Sequence, residues 1–266
     1  MSMSSLSSDP RAEVTSPLPE PEPEVARSVL PLLYGGVAYL IGSGALLALI
    51  AVSLGVVPFD APATQPGSPW ISASMDVGLL ALFGLQHSVM ARRSFKQSWT
   101  RVVPPALERS TYVLATGLVL VPVLVFWQPI PGVIWSIEVP LVRAALRGLA
   151  LVGWCYLFAA SFALSHVELF GLKQVWRVFY GESSTEEPFR ERWMYRFDRH
   201  PIMTGLLVGM WSTPDMTAGR LLFCAGMTVY VVIGVHFEER ALRRQWGARY
   251  DEYRARVRSV VPTWRG

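Results

Sequence analysis

Long uncharged stretches alternate with short basic segments along the chain. No Asp, Glu, Lys or Arg occurs in residues 28–59, 110–137 or 148–165. A membrane-spanning helix needs about 20 apolar residues, with roughly 17 as the lower end. Three such stretches in a chain of 266 residues are more than a soluble core can bury, so the pattern predicts membrane-spanning helices.

Three weaker apolar segments complete the pattern. Asp76 interrupts residues 70–91, while residues 201–214 and 221–235 are short and are separated by a turn-forming Thr-Pro-Asp sequence. Short apolar segments are typical of buried or re-entrant helices. We therefore predict an all-α integral membrane protein of about six helical segments, five or six of them transmembrane. A C-terminal helical hairpin is expected to end the bundle.

The beginning of the chain has a different composition. It is rich in Ser and then alternates Pro with Glu near residues 19–24, and such a segment buries too little apolar surface to fold. No basic segment directly precedes a short apolar core, so a cleaved signal peptide is not predicted. We expect residues 1–28 to form a disordered tail and residues 29–266 a single membrane domain.

Composition agrees with a membrane protein and excludes several kinds of site. Hydrophobic residues make up 52% of the chain and charged residues only 17%, against about a quarter charged in soluble proteins. The two cysteines, Cys155 and Cys224, lie in apolar stretches and are expected to be buried hydrophobes. The sequence contains no phosphate-binding loop and no His-Glu-x-x-His pattern, so no metal site is predicted. No nucleic-acid partner is predicted either.

Basic residues concentrate in alternate connections between the apolar segments. They occur throughout residues 92–109, 166–200 and 240–265, whereas residues 58–75 contain none and residues 128–147 contain two. Lys and Arg are enriched on the cytoplasmic side of membrane proteins. We therefore expect both termini in the cytoplasm, with the basic tail suited to lie on anionic lipid.

The histidines all fall at helix ends on the predicted cytoplasmic side. The chain has four of them, namely His87, His166, His200 and His236. Other polar residues are expected at the same level, namely Gln86, Glu168, Glu238 and Glu239. Ionisable groups at membrane depth are costly to bury and are therefore candidates for function. Since histidine exchanges a proton near neutral pH, this grouping predicts a shared polar site with acid–base capacity.

Two elements near the C-terminus carry a family resemblance. Residues 195–205 resemble the Tyr-x-x-x-Arg-His-Pro-x-x-x-Gly element of isoprenylcysteine carboxyl methyltransferase-like membrane proteins. Met203 departs from that pattern, because Tyr is frequent there. The closing element of the same superfamily resembles a second set of residues, Glu238-Glu239-x-x-Leu242, Trp246-Gly247, Tyr250, Tyr253, Val257 and Pro262.

Three further stretches narrow the resemblance. Residues 85–92, 104–112 and 165–175 are similar to bacterial methanethiol S-methyltransferases, which lie near NnrU-type proteins in that superfamily. The resemblance implies S-adenosyl-L-methionine as methyl donor, methanethiol as a small thiol acceptor and dimethyl sulfide as product. It also implies a multi-pass protein of the bacterial inner membrane.

The resemblance further implies which residues hold the donor. They fall within residues 165–262 and are Tyr195, Arg199, His200, Pro201, Gly205, Glu238 and Glu239. Arg199 is expected to pair with the donor's carboxylate, and a glutamate with its ribose hydroxyls or amino group. Gly205 would permit close approach of a helix or of the cofactor. Alternatively, the two glutamates begin a solvated tail and pair with Arg243.

The acceptor requires a group that removes a proton, because the thiolate is the nucleophile. His166 and His87 lie outside the C-terminal elements, in the stretches that resemble the thiol-methylating group. We therefore expect His166, and secondarily His87, to act as general base, with Glu168 as a further candidate.

Two other functions remain compatible with the residues. The same fold suits a methyltransferase that acts on a larger acceptor such as a prenylcysteine, a lipid or an amine. A non-enzymatic NnrU-like protein would instead use paired histidines to bind haem, or would associate with quinone. The sequence sets no oligomeric state.

Overall fold

Helices of 21 to 29 residues form the frame of the molecule. The structure is a computed structural model and describes residues 28–58, 68–182 and 191–260. In chain order its elements are α1 (Leu30–Ser53), α2 (Pro69–Ala91), α3 (Arg93–Trp99), α4 (Pro105–Val125), β1 (Val133–Ser136), α5 (Pro140–Ala163), α6 (His166–Leu169), α7 (Leu172–Tyr180), a 3-10 helix (Trp193–Arg196), α8 (Pro201–Trp211), β2 (Asp215–Thr217), α9 (Ala218–Trp246) and α10 (Ala248–Arg256).

Proline marks the start of five helices. A proline lies in the first two positions of α1, α2, α4, α5 and α8, where its missing N–H has no partner within the helix to lose. Helix α9 begins differently, because the Thr217 hydroxyl accepts a hydrogen bond from the backbone N–H of Arg220. These local signals set the starts of the long helices.

The connections predicted to be non-cytoplasmic meet at one end of the bundle, here called the strand end. Strands β1 and β2 pair antiparallel there, which joins the α4–α5 connection to the α8–α9 connection. The Arg143 guanidinium donates hydrogen bonds of 2.8 and 2.7 Å to the two carboxylate oxygens of Asp215. Arg220 donates to the backbone carbonyl of Val52 at the end of α1. The opposite end, called the cradle end, therefore contains the ends of the helices where the histidines lie.

Small residues allow two helix pairs to approach closely. In α4, a Cβ added to Gly117 would lie 3.0 Å from the Cα of Gly42 in α1. In α5, a Cβ on Gly153 would lie 2.6 Å from the backbone N of Gly209 in α8. Such contacts are typical of helices that associate in a membrane, and they position α8 against α5.

The outer surface of the bundle is apolar. Within residues 28–58, 68–182 and 191–260, four helices are long and apolar enough to cross a membrane, namely α1, α4, α5 and α9. Large hydrophobic side chains project outward, and Leu33, Leu40 and Leu47 of α1 are each more than half exposed. A continuous exposed apolar surface of this kind suits lipid rather than water. The prediction of an all-α integral membrane protein is confirmed.

The C-terminal hairpin differs from the predicted pair of short helices. Helix α8 has 11 residues, fewer than the roughly 20 that a span needs. Helix α9 has 29 residues and continues well past residue 235, through the charged sequence that follows. The uncharged residues 110–137 likewise contain only part of α4, followed by β1, because two prolines precede the strand. The predicted disordered tail, residues 1–28, lies outside the described residues except for Ser28.

Candidate active site

His200 lies at the cradle end between two carboxylates. It precedes α8, and its Nε2 is 3.1 Å from Oε1 of Glu239, while its Nδ1 is 3.4 Å from Oε2 of Glu238. Burial alone would lower the pKa of His200, but the two glutamates outweigh burial and raise it to about 9. His200 is therefore a cation at neutral pH and has no free lone pair with which to accept a proton.

Arg199 is almost completely buried beside the same carboxylate. Its NH2 group lies 2.8 Å from Oε1 of Glu239, and only 2% of the side chain is exposed. Its NH1 group donates to the backbone carbonyls of Arg254 and Val257, at 2.8 and 3.0 Å. Arg199 thus ties the start of α8 to the C-terminal segment as well as to Glu239.

The C-terminal segment completes this charged group. Arg254 of α10 places its Nε 3.2 Å from Oε2 of Glu239, and the Ser259 hydroxyl donates to Oε1 of the same residue at 3.3 Å. The backbone N–H of Arg199 donates to the carbonyl of Arg258. We call Arg199, His200, Glu238, Glu239 and Arg254 the cradle.

Asp198 contacts the cradle through a hydrogen bond to the backbone of His200, and it also bonds to a neighbouring tyrosine. Its Oδ1 accepts the backbone N–H of His200 at 2.9 Å, and its Oδ2 accepts the Tyr156 hydroxyl at 3.4 Å. Burial raises the pKa of Asp198, although hydrogen bonds from Thr204 and His200 oppose that shift. Asp198 therefore fixes the backbone of His200 at the start of α8.

Glu238 is the accessible member of the cradle. About half of its side chain is exposed, whereas the side chain of Glu239 is 12% exposed. Burial, followed by the negative charge of Glu238, holds the pKa of Tyr195 above its ordinary value. The same helix, α9, carries Tyr230 eight residues before Glu238. Helix α9 therefore connects the cradle to a second group of side chains, which Tyr230 contacts.

That second group surrounds His87 near the end of α2. The Nε2 of His87 is 2.6 Å from the Tyr112 hydroxyl, and its Nδ1 is 3.2 Å from the Thr116 hydroxyl. The ring stacks on Phe83 at 5.5 Å and lies edge-on to Tyr230 at 6.1 Å, measured between ring centroids. We call these five residues the His87 cluster.

His166 occupies a separate aromatic environment. Its Nδ1 is 2.9 Å from the Ser161 hydroxyl, which donates its own hydrogen to the carbonyl of Phe158, so Nδ1 carries the proton. Its Nε2 accepts from the Tyr39 hydroxyl of α1 at 3.2 Å. Burial lowers the pKa of His166. The ring partners of His166 come from α1, α5 and the α6–α7 connection, so it contacts elements different from those of the cradle.

The other residues predicted for the site make contacts that hold the structure together. Glu168 forms an ion pair of 2.7 Å with Lys173. A Cβ on Gly205 would lie 2.6 Å from the carbonyl oxygen of Gly153, so the close approach at this glycine is to a helix. Pro201 is buried in the first turn of α8. Arg243 pairs with Asp251 at 2.8 Å, so the alternative pairing of the glutamates with Arg243 is not the one adopted.

Several residues of the site were not predicted. Asp198 and Tyr112 lie inside the stretches that carry the resemblance, and that position was an available signal. Arg254 and Ser259 lie in the basic tail, and nothing in their spacing indicates contact with Glu239. They reach it because α10 folds back towards the start of α8.

The fold and the site together define a class of protein. The chain forms an all-α membrane bundle with a partly buried network of three cations and two carboxylates at one end, and the same end contains a hydrogen-bonded histidine–tyrosine pair. Such a site suits a ligand that has both charged and apolar parts.

Comparisons with known proteins give the family. The chain is 40% identical to a methanethiol S-methyltransferase of Mycobacterium tuberculosis over 238 residues, 88% of this chain and 96% of that protein. It is 41% identical to a methanethiol S-methyltransferase of a Pseudomonas species over 233 residues, 87% of this chain and 89% of that protein. Nurim of Sus scrofa is 31% identical over 192 residues, 68% of this chain and 72% of that protein. No family model and no solved structure matches the chain.

The chain belongs to the methanethiol S-methyltransferase family, and it is a methyltransferase enzyme. The resemblance inferred from its motifs is confirmed.

Proposed function

We propose that this protein transfers a methyl group from S-adenosylmethionine to methanethiol, releasing dimethyl sulfide, at the cytoplasmic face of the bacterial inner membrane. The observation that carries the proposal is that α9 contributes to both groups: Tyr230 lies 6.1 Å from His87, between ring centroids, and Glu238, eight residues further along the helix, lies 3.4 Å from Nδ1 of His200. A donor site and an acceptor site that share one helix meet the first requirement of a direct transfer, which is proximity.

The cradle has the chemistry that the donor needs. The donor carries a carboxylate, an amino group, ribose hydroxyls and a positively charged sulfur that bears the methyl group. Within the described residues the Nε of Arg199 is buried without a hydrogen-bond partner, so it can donate to the carboxylate. The exposed carboxylate of Glu238 can accept from the amino group or the ribose. Arg199 cannot bind the carboxylate through both ends of its guanidinium, because its NH1 group already donates to two backbone carbonyls. Its main role is therefore to position the C-terminal segment beside the donor.

The acceptor side centres on His87 rather than on His166. Each histidine has one nitrogen against a tyrosine hydroxyl and the other against a Ser or Thr hydroxyl. The His87 cluster includes Tyr230 of α9, the helix that carries Glu238 and Glu239, whereas the ring partners of His166 described above lie on other elements. His87 therefore takes the thiol proton, while His166 holds the cradle ends of α1 and α5 together. Glu168, paired with Lys173, has no part in the transfer.

The test measures the product directly. Membranes that contain the protein are given methanethiol and donor with a ¹³C-labelled methyl group, and the headspace gas is analysed by mass spectrometry. We expect singly labelled dimethyl sulfide. Failure to form labelled dimethyl sulfide, with correctly inserted protein, would contradict the proposal.

A charge-neutralising variant tests the donor site. Glu238→Gln should weaken donor binding about ten- to a hundredfold, since a hydrogen bond to a charged group contributes about 1.5–3 kcal/mol. Glu252→Gln is the matched control, because Glu252 is an exposed residue of α10. Binding is measured by titration calorimetry in detergent, and equal affinities for the two variants would remove Glu238 from the donor site.

A further inference from the structure

The hydroxyl of Tyr112 closes off the nitrogen of His87 that can accept a proton. The Nδ1 of His87 lies 3.2 Å from the Thr116 hydroxyl and the Nε2 lies 2.6 Å from the Tyr112 hydroxyl. If Nδ1–H donates to Thr116, then Nε2 accepts from Tyr112. A thiol would have to displace Tyr112 to reach Nε2.

We propose that Tyr112 relays the thiol proton to His87, so that Tyr112, and not the imidazole, is the group that contacts the thiol. This inference rests on the proposed function. The S–H bond breaks, and its electron pair remains on sulfur as the thiolate. The proton forms a new O–H bond at Tyr112, while the original hydroxyl proton of Tyr112 moves to Nε2 of His87. The reverse path returns the proton to water after the product leaves.

Arg109 supplies the charge that such a relay requires. Its guanidinium carbon lies 5.2 Å from the centroid of the Tyr112 ring, and its Nε donates to the carbonyl of Leu169 at 2.8 Å. The fixed positive charge stabilises negative charge that develops on the phenol oxygen during the transfer. The same charge disfavours a lasting imidazolium at His87, which helps the proton to leave again.

The neighbouring tyrosine of the α1–α4 interface provides a matched control. Tyr34 of α1 is 2.9 Å, hydroxyl to hydroxyl, from Thr111 of α4, the residue just before Tyr112. Tyr34→Phe therefore removes a part-buried tyrosine hydrogen bond next to Tyr112 in sequence without changing a partner of His87. Tyr112→Phe removes the relay atom and retains the ring.

The kinetic experiment compares thiols of different acidity. Methanethiol turnover is measured from neutral to alkaline pH, and ethanethiol is compared with 2,2,2-trifluoroethanethiol, which has a similar shape but ionises at lower pH. In Tyr112→Phe we expect methanethiol turnover at neutral pH to fall about 10²–10³-fold and to recover as pH rises. The loss should be under about tenfold for the fluorinated thiol, because a substantial fraction of it is already thiolate at neutral pH. Tyr34→Phe should behave like the parent.

A spectroscopic measurement follows the same hydrogen bond without turnover. With only four histidines in the chain, ¹⁵N-histidine labelling gives few signals, and the His87 signals are assigned with His87→Gln. The Nε2 resonance of His87 should shift in Tyr112→Phe and stay in place in Tyr34→Phe.

Equal losses on all thiols at every pH would overturn the relay and leave Tyr112 as a packing residue. An unchanged Nε2 resonance would also overturn it. A parent protein that methylates no thiol would overturn the proposed function itself, and with it the relay.

Discussion

At the scale of single residues, His200 and His87 differ in the groups that surround their ring nitrogens. His200 faces two carboxylates and is held as a cation, whereas His87 faces two hydroxyl groups. An imidazole that is charged at neutral pH suits the binding of a polar ligand, and a neutral one suits proton transfer. We therefore propose that the same residue type performs two tasks in this protein, because its immediate neighbours differ.

The charge of His200 predicts how stability depends on pH. Its pKa is raised from 6.5 to about 9 in the folded protein. The stabilisation from its pairing with Glu238 and Glu239 is therefore fully present below about 6.5 and is lost as pH rises through about 9. We expect the thermal unfolding temperature in detergent to fall across this window.

Two variants separate His200 from other titrating groups. His200→Gln should flatten the pH dependence between about 6.5 and 9, while His236→Gln, which changes an exposed histidine of α9, should retain it. A parent protein whose unfolding temperature is constant over that window would contradict the assignment.

At the scale of elements, the contact between α5 and α8 positions the cradle. Helix α8 is too short to span by itself; its Gly205 packs against the backbone of α5 and its Gly209 against the Trp154 side chain of the same helix. Since His200 immediately precedes α8, any outward shift of α8 would move it away from Glu239 of α9. Close helix packing thus fixes the distance between His200 and Glu239, the two halves of the proposed donor site.

Gly153→Ala should loosen this contact. The added Cβ would lie 2.6 Å from backbone N of Gly209 and 2.9 Å from the carbonyl oxygen of Gly205, and overpacking of this kind costs about 1–3 kcal/mol. We expect a lower unfolding temperature and weaker donor binding. Gly148→Ala in the same helix is the control, because no atom lies within 4 Å of its added Cβ. Equal stability of both variants would show that α8 does not depend on this contact.

At the scale of the whole molecule, the two ends of the bundle have different roles. The strand end is held by β1, β2 and the Arg143–Asp215 pair, and the cradle end contains the candidate chemistry. The basic segments that begin at residues 92 and 240 lie at the cradle end. From the positive-inside rule we expect the cradle to face the cytoplasm, where the proposed donor would be available.

Reporter fusions test this orientation. Fusions after Gln128 and Thr217, which lie at the strand end, should report a periplasmic location, and a fusion after Lys96 should report a cytoplasmic one. Alkaline phosphatase and a fluorescent protein serve as complementary reporters. A periplasmic signal at Lys96 would reverse the orientation and separate the cradle from its donor.

The sequence by itself predicted the class of protein and the end of the helix bundle at which the candidate site lies. Uncharged stretches of helical length, prolines at helix starts and basic connections depend on residues that are adjacent in the chain. They determined the all-α membrane class, and the motifs near residues 195–205 and 238–257 indicated the family. The length of α9 was underestimated, because its last turns are stabilised by packing and ion pairs at the cradle rather than by apolar sequence.

Only the tertiary structure decided which partners the functional residues have. Arg254 reaches Glu239 because α10 folds back, and His87 becomes part of the site because Tyr112, 25 residues further along the chain, meets it across the α2–α4 interface. The sequence favours His166 and, secondarily, His87 as the base, while the hydrogen-bond partners of the two histidines are visible only in the folded protein. The spacing of hydrophobic residues is a local property that can be read from each helical segment by itself. Hydrogen-bond partners and charge states depend instead on groups that folding brings together from distant parts of the chain.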